Sequence, residues 1–225
     1  MVDIERIVVS PVDSNCYFII EGARCVVIDP GDEHLPLRYL QDHGLTPEYI
    51  LLTHEHCDHT AGLNVLRAQY PDALVYISDE CSKGICSKRL NMSSMMEVFL
   101  YFSGKPGIKY DPFVCEPGDI IFEQGSRLEW RGHVFSFVAL PGHTRGGTGI
   151  FLGDDIFFSG DYLLRDRDMD LRLPGGSEED YLRVTRPWLE QLPDGLHIYP
   201  GHGDDYLLPG LTERFLQDAS VKENI

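Results

Sequence analysis

The chain has 225 residues, 24% charged and 43% hydrophobic, a composition that fits one large globular domain over 1–225 with a substantial core. Its 36 acidic residues against 19 basic ones leave a net charge of -17, a surface that repels phosphate backbones and makes nucleic acid a poor partner. No apolar run is long enough to span a bilayer, so no membrane partner is expected, and the acidic start Met1-Val2-Asp3 is unlike a signal peptide, which makes the cytoplasm the expected compartment.

In chain order, residues 15–20 and 24–29 flank a Glu21-Gly22-Ala23 turn and are expected to pair as a hairpin. In that register Cys16 lies nearer Asp29 than Cys25, and all six cysteines are read as free thiols. Asp32 is placed to cap a helix running to about His43, with Gly44 ending it. A strand over 48–53 then delivers Thr53-His54-Glu55-His56-Cys57-Asp58-His59, in which four potential metal ligands, His54, His56, Asp58 and His59, fall within six residues. Three imidazoles and a carboxylate this close would repel one another if protonated, and they gain little from burial without a cation. Zinc, iron and manganese all accept such nitrogen and oxygen donors. Cys57 is read as pointing away from the cluster. A helix over 60–69 and a strand over 73–78 follow.

The segment 79–117 is long for a connection and rich in Met and aromatic residues. Met92, Met95, Met96, Phe99 and Phe102 recur at helical spacing, which fits a helix packed on the core. The sharper alternative is an adaptable apolar lid over the cluster, in which Met95, Met96 and Phe99 contact substrate. Cys81 and Cys86 lack a second Cys or His pair to complete a structural zinc site.

Several strands separated by Gly-rich turns are expected over 119–158, and three more ligands sit just after strand-like runs. His143 lies in Pro-Gly-His-Thr, Asp161 in Ser-Gly-Asp and His202 in Pro-Gly-His-Gly. A ligand at a strand's end has a rigid base yet faces solvent, as a reactive site requires. The seven ligands suit two ions with open positions. Tyr17 and Tyr162 are candidates for hydrogen bonds to substrate, with packing an equal alternative; His34, His43, His133 and His197 have no motif context. A helix over 177–191, with Ser177 and Asp180 at its start, and a short helix over 211–218 complete the pattern. Two packed sheets with helices on both outer faces would bury both strand sets.

The order His-x-His-x-Asp-His, Pro-Gly-His-Thr, Gly-Asp, Pro-Gly-His-Gly resembles the metallo-β-lactamase-fold hydrolase superfamily over about 15–203. Asp29 in Ile-Asp-Pro-Gly matches the motif that in this family supports the ligand loop from behind. Within the superfamily the chain is most similar to the glyoxalase II group, the hydroxyacylglutathione hydrolases, through Asn15-Cys16-Tyr17 and Leu173-Pro174-Gly175-Gly176-Ser177. It departs from that group at Arg167-Asp168-Met169-Asp170, where Gly-Arg-x-Asp is usual. Only about twenty residues follow His202, where full-length members carry a helical domain that helps bind glutathione.

The resemblance implies an αββα sandwich, a small-molecule substrate and two divalent metal ions, zinc foremost, with iron or manganese as substitutes. It implies His54, His56 and His143 on one ion, Asp58, His59 and His202 on the other, and Asp161 between them, with Asp58 also orienting the nucleophile. A water shared by two such ions has its pKa brought toward neutrality. A thiolate, from a thiol of pKa about 8.5, leaves without a proton, whereas an amine needs an acid that the motifs do not supply. The expected activity is therefore a dinuclear metallohydrolase acting on ester-type bonds, a thioester first. A lactonase, a mononuclear-iron persulfide dioxygenase and a non-catalytic binding member of the fold are the alternatives.

Overall fold

The computed structural model describes residues 2–123, 125–165 and 169–209. β1 (Asp3–Val9), β2 (Ser14–Glu21) and β3 (Arg24–Ile28) form an antiparallel meander. Side chains alternate across a strand, so Cys16 and Phe18 of β2 enter one apolar layer while Tyr17 and Ile19 enter another. Both faces being covered explains why β2 is apolar almost throughout rather than alternating. Tyr17 pairs with Ile28, so the next position brings Cys16 toward Asp29, as the hairpin reading expects.

α1 (Leu35–Asp42) is preceded by Asp32, whose Oδ1 accepts from the backbone N–H groups of His34 and Leu35. β4 (Thr46–Leu51) runs parallel to β3 and begins two residues earlier than the sequence suggests. The single helix expected over 60–69 is two, α2 (Cys57–Thr60) and α3 (Leu63–Gln69). They break at Gly62, where a Cβ would lie 2.3 Å from the Asp32 carbonyl oxygen and the N–H bonds to Pro30. β5 (Leu74–Ile77), α4 (Asp79–Ile85), a 3-10 turn at Ser93–Met95, α5 (Met96–Phe102) and β6 (Ile120–Ile121) complete the first half, whose sheet has the order β1-β2-β3-β4-β5-β6.

The second half builds a sheet of its own from β7 (Arg127–Trp130), β8 (His133–Ala139), β9 (Thr148–Leu152), β10 (Ile156–Gly160), β11 (His197–Pro200) and β12 (Tyr206–Leu207). Between β10 and β11 runs a helical stretch: α6 (Glu178–Asp180), a π-helical turn at Tyr181–Thr185 and α7 (Arg186–Leu189). Ser177 Oγ caps it, accepting from the Asp180 N–H at 3.1 Å. The expected helix over 211–218 lies outside the described residues.

The two sheets face each other across a layer that includes Tyr17, Ile28 and Leu51 from the first and Phe135, Ile150 and Phe158 from the second. Fully burying each such side chain is worth about 1.5–3 kcal/mol relative to exposure. The outer face of the first sheet carries α1, α3 and α4, and that of the second carries α7. This is the αββα sandwich. No helix among the described residues is long and apolar enough to cross a membrane.

The Met-rich segment divides its side chains. Met92, Met96 and Leu100 are buried with Cys57 in a satellite cluster, which turns the Cys57 thiol away from the neighbouring ligands. Met95 is 43% exposed and Phe102 81%. The segment is also bonded to the ligand loop, because the Asn91 carbonyl accepts from the Cys57 N–H at 2.7 Å. All six cysteines are free.

Candidate metal centre

The ligands sit beyond strand ends, five on loops and two in a short helix. His54 follows β4, His56 precedes α2, and Asp58 and His59 occupy its single turn; His143 follows β8, Asp161 follows β10 and His202 follows β11. The structure brings all seven sequence-predicted ligand residues together. Donor atoms of His54, His56 and His143 lie within 4.8 Å of one another, as do those of Asp58, His59 and His202. Asp161 stands between the two groups, 3.4 Å from His143 Nε2 on one side, and 3.3 Å from His59 Nε2 and 3.5 Å from His202 Nε2 on the other.

The hydrogen bonds around the ring determine which nitrogens are bare. A carbonyl or carboxylate can only accept, so a ring nitrogen facing one carries the proton. His143 Nδ1 donates to the Asp170 carbonyl at 2.7 Å, His202 Nδ1 to the Asp13 carbonyl at 3.1 Å, and His59 Nδ1 to Asp29 Oδ2 at 3.0 Å. The Thr53 hydroxyl donates to Asp29 Oδ2 at 2.5 Å and so accepts from His54 Nδ1 at 3.0 Å. In the neutral rings the Nε2 atoms of all four are thereby left as lone-pair donors aimed into the cluster. Of these, His54 Nε2 and His59 Nε2 are buried without a hydrogen-bond partner, as is Asp161 Oδ1. Buried orphan donors of nitrogen and carboxylate oxygen converging in two groups are what two divalent ions require, and the outer bonds are of the kind that orients metal-bound histidine. The residues fit a dinuclear metal site.

Charge tells the same story. Burial pushes His54 far down and His56 to about 3, so both are neutral donors. Burial would depress His59 and His202 as well, but the carboxylates beside them reverse the sign: Asp58 and Asp161 hold His59 well up, and Asp161 with Asp58 brings His202 to about 9. The Asp side of the cluster attracts positive charge.

Asp29 lies where the sequence expects it, behind the ligands. It takes the Thr53 N–H at 2.8 Å besides the Thr53 hydroxyl and His59, and these bonds hold it in a left-handed backbone conformation, φ +53°. Gly201 has to be glycine for a different reason: a Cβ there would lie 2.3 Å from Asp161 Oδ1 and 2.8 Å from His59.

Two tyrosines read as possible substrate contacts have other duties. Tyr17 and Tyr162 are both buried, and neither lines the cavity at the cluster. Tyr17 Oη donates to the Pro200 carbonyl at 2.6 Å and so holds the loop bearing His202. Tyr162 Oη donates to the Leu140 carbonyl and accepts from the His143 N–H at 3.0 Å, clamping the loop of His143. Of the three Met-segment residues expected at the substrate, Met96 and Phe99 line the cavity, whereas Met95 points outward because it precedes the first turn of α5.

Sequence reasoning passed over several supports. Glu55, between His54 and His56, is buried, and its Oε2 accepts from the Thr144 hydroxyl at 2.8 Å; burial raises its pKa to about 7. It joins the His54 loop to the His143 loop. Ser14 Oγ donates to the Asp58 carbonyl at 2.6 Å, and the Asn15 N–H donates to the Gly201 carbonyl at 2.7 Å, tying the start of β2 to ligand loops from both sheets. Of these supports only Asn15 carried a sequence signal, as part of the Asn15-Cys16-Tyr17 motif.

The cluster opens into a cavity of about 340 Å³. His56, Asp58, His143, Asp161 and His202 form one face; Met92, Met96, Phe99, Leu164 and Leu173 supply an apolar wall.

Known proteins share this arrangement to different extents. The model of the metallo-beta-lactamase superfamily matches residues 9–202. "Probable metallo-hydrolase YqgX" of Bacillus subtilis (strain 168) is 31% identical over 202 residues, 89% of this chain and 90% of its own length. "Hydroxyacylglutathione hydrolase 1" of Vibrio vulnificus (strain YJ016) is 27% identical over 217 residues, 96% of this chain and 72% of that protein. Among solved structures, BLEG-1 B3 metallo-beta-lactamase superposes with a TM-score of 0.77 at 25% identity, covering 91% of this chain and 94% of its own. TTHA1623 in a di-iron-bound form gives 0.68 at 30% identity, covering 93% and 97%. Ligand geometry, fold and relatives converge: the chain belongs to the metallo-β-lactamase superfamily and is a metal-dependent hydrolase.

Proposed function

We propose that this hydrolase is a thioesterase acting on a small-molecule acyl thioester, with zinc as its metal. The observation that carries the reading is the cavity, in which a wall of Met92, Met96 and Phe99 faces the ligand side chains. Such a wall draws a hydrocarbon acyl group out of water, at about 0.8 kcal/mol per methylene, and leaves its carbonyl over the ligand face. Two divalent ions held there would supply a nucleophile at neutral pH and a Lewis acid for the carbonyl oxygen.

The protein's own residues do the rest. His54, His56 and His143 would hold one ion and Asp58, His59 and His202 the other, with Asp161 standing between the two groups. Asp58 lies on the cavity face, where its carboxylate would orient the nucleophile. A thiolate needs no proton to leave, so the site requires no general acid beyond its ligands. The similarity to a protein named hydroxyacylglutathione hydrolase supports the same bond class.

The test is thiol release by the metal-loaded protein from lactoylglutathione and from short- and long-chain acyl-CoA. Rapid release from one member, abolished by a chelator and restored by zinc, is expected. A protein that retains both metals and releases no thiol above background from any member overturns the reading.

A further inference from the structure

Lys105 is at odds with the charge of the molecule around it. The chain carries -17, yet residues 81–110 hold five Lys or Arg against a single acid, Glu97. Lys105, just beyond α5, is the one Lys or Arg among the described residues that line the cavity.

Its ammonium is held in place yet not used up. Nζ donates to the Pro11 carbonyl at 2.6 Å and to Asp13 Oδ2 at 3.2 Å. An ammonium has three donors, and no partner among the described residues takes the third. The Asp13 pair is open to water, with side chains 40% and 69% exposed, so solvent screens it. It positions the charge without cancelling it. Asp13 also connects this cation to the ligands, because its carbonyl accepts from Nδ1 of His202.

We infer that Lys105 is a specificity residue that binds an anionic group, a carboxylate or a phosphate, on the substrate cleaved at the ligand face. A cavity with an apolar wall, a ligand cluster and one cation at its rim matches a thioester with a hydrocarbon body and a charged end. An otherwise acidic surface would repel such a molecule, and Lys105 with its basic segment offsets that locally. The inference rests on the thioesterase reading for its reaction, though not for its binding.

Two matched substrate pairs test it on the metal-loaded protein. Butyryl and succinyl thioesters of N-acetylcysteamine differ by a carboxylate on the acyl side; butyryl-pantetheine and butyryl-phosphopantetheine differ by a phosphate on the thiol side. Lys105→Met is expected to raise KM at least tenfold for the charged member of one pair, leave the neutral member within twofold and leave kcat unchanged. Lys105→Arg should restore KM, and metal content and Tm should be those of the wild type. Which pair responds tells a carboxylate from a phosphate. A wild type with no preference for a charged member in either pair overturns the inference, as does a KM that rises alike for charged and neutral members. Non-hydrolysable thioether analogues of both pairs, titrated calorimetrically, separate the two readings. If no thioester is cleaved the thioesterase reading falls, and Lys105 is then judged by whether Lys105→Met selectively weakens the charged analogue.

Discussion

At the scale of the residue, the polar atoms behind the ligands determine how well the site is held. Tyr162 shows this most directly, since its hydroxyl serves Leu140 and His143 in a fully buried position. Tyr162→Phe leaves a carbonyl and an N–H without partners at no cost in shape, which is expected to lower stability by about 1–3 kcal/mol. It should also weaken metal binding, because the loop bearing His143 loses its clamp. Urea unfolding of the metal-free protein and competition with a chelator read the two effects separately; unchanged metal affinity would place the clamp's role in folding alone. The ligands were legible because seven residues of the right chemistry stand in tight motifs. The tyrosines' duties were not, because whether a phenol meets substrate or backbone depends on which loop the other sheet brings opposite it. Glu55 was invisible for a similar reason: its partner Thr144 is 89 residues away.

At the scale of the element, α5 separates two readings that periodicity could not. Met96 is 2% exposed and Met95 43%. Met96→Ala is expected to cost about 2–5 kcal/mol in urea unfolding, and Met95→Ala to stay within about 0.5 kcal/mol. Comparable losses at both positions would mean that Met95 packs somewhere after all. Repeating Met and Phe told of burial on one side of a helix, but the helix is short and kinked at its start by a 3-10 turn, which rotates Met95 out of the stripe. Other elements escaped for simple physical reasons. β1 is an edge strand with half its side chains in solvent, so it lacks the apolar run that marks β2. The break between α2 and α3 comes from the close approach of Gly62 to the Asp32 carbonyl, a tertiary contact that no local propensity encodes.

At the scale of the whole molecule, two sheets from two halves of the chain must stay in register for the ligands to meet. One pin lies at the end away from the ligands: Glu48, on β4, accepts from Arg131 Nε at 2.8 Å and from Trp130 Nε1 at 2.7 Å, both from the second sheet's side. The Arg131 bond, aided by Trp130 and Arg24, brings the carboxyl down to about 2. A depressed pKa contributes stability that is full above the ordinary carboxylate range and lost as pH falls toward 2. Water screens the pair, so its worth is about 1 kcal/mol. Glu48→Gln should therefore lose about that much at pH 7 in urea unfolding of the metal-free protein, with the gap closing between about pH 4.5 and 2; a gap of equal size at pH 3 would assign it to packing. The ligands themselves form the opposite pin. His54, His56, Asp58 and His59 belong to the first half, and His143, Asp161 and His202 to the second, and the groups His54-His56-His143 and Asp58-His59-His202 each draw on both. Bound metal is therefore a removable cross-link between two pieces of polypeptide. A chain nicked between β6 and β7 should migrate as one particle in gel filtration with or without metal, held by the apolar layer between the sheets, and a chelator should lower the urea concentration at which its two pieces come apart.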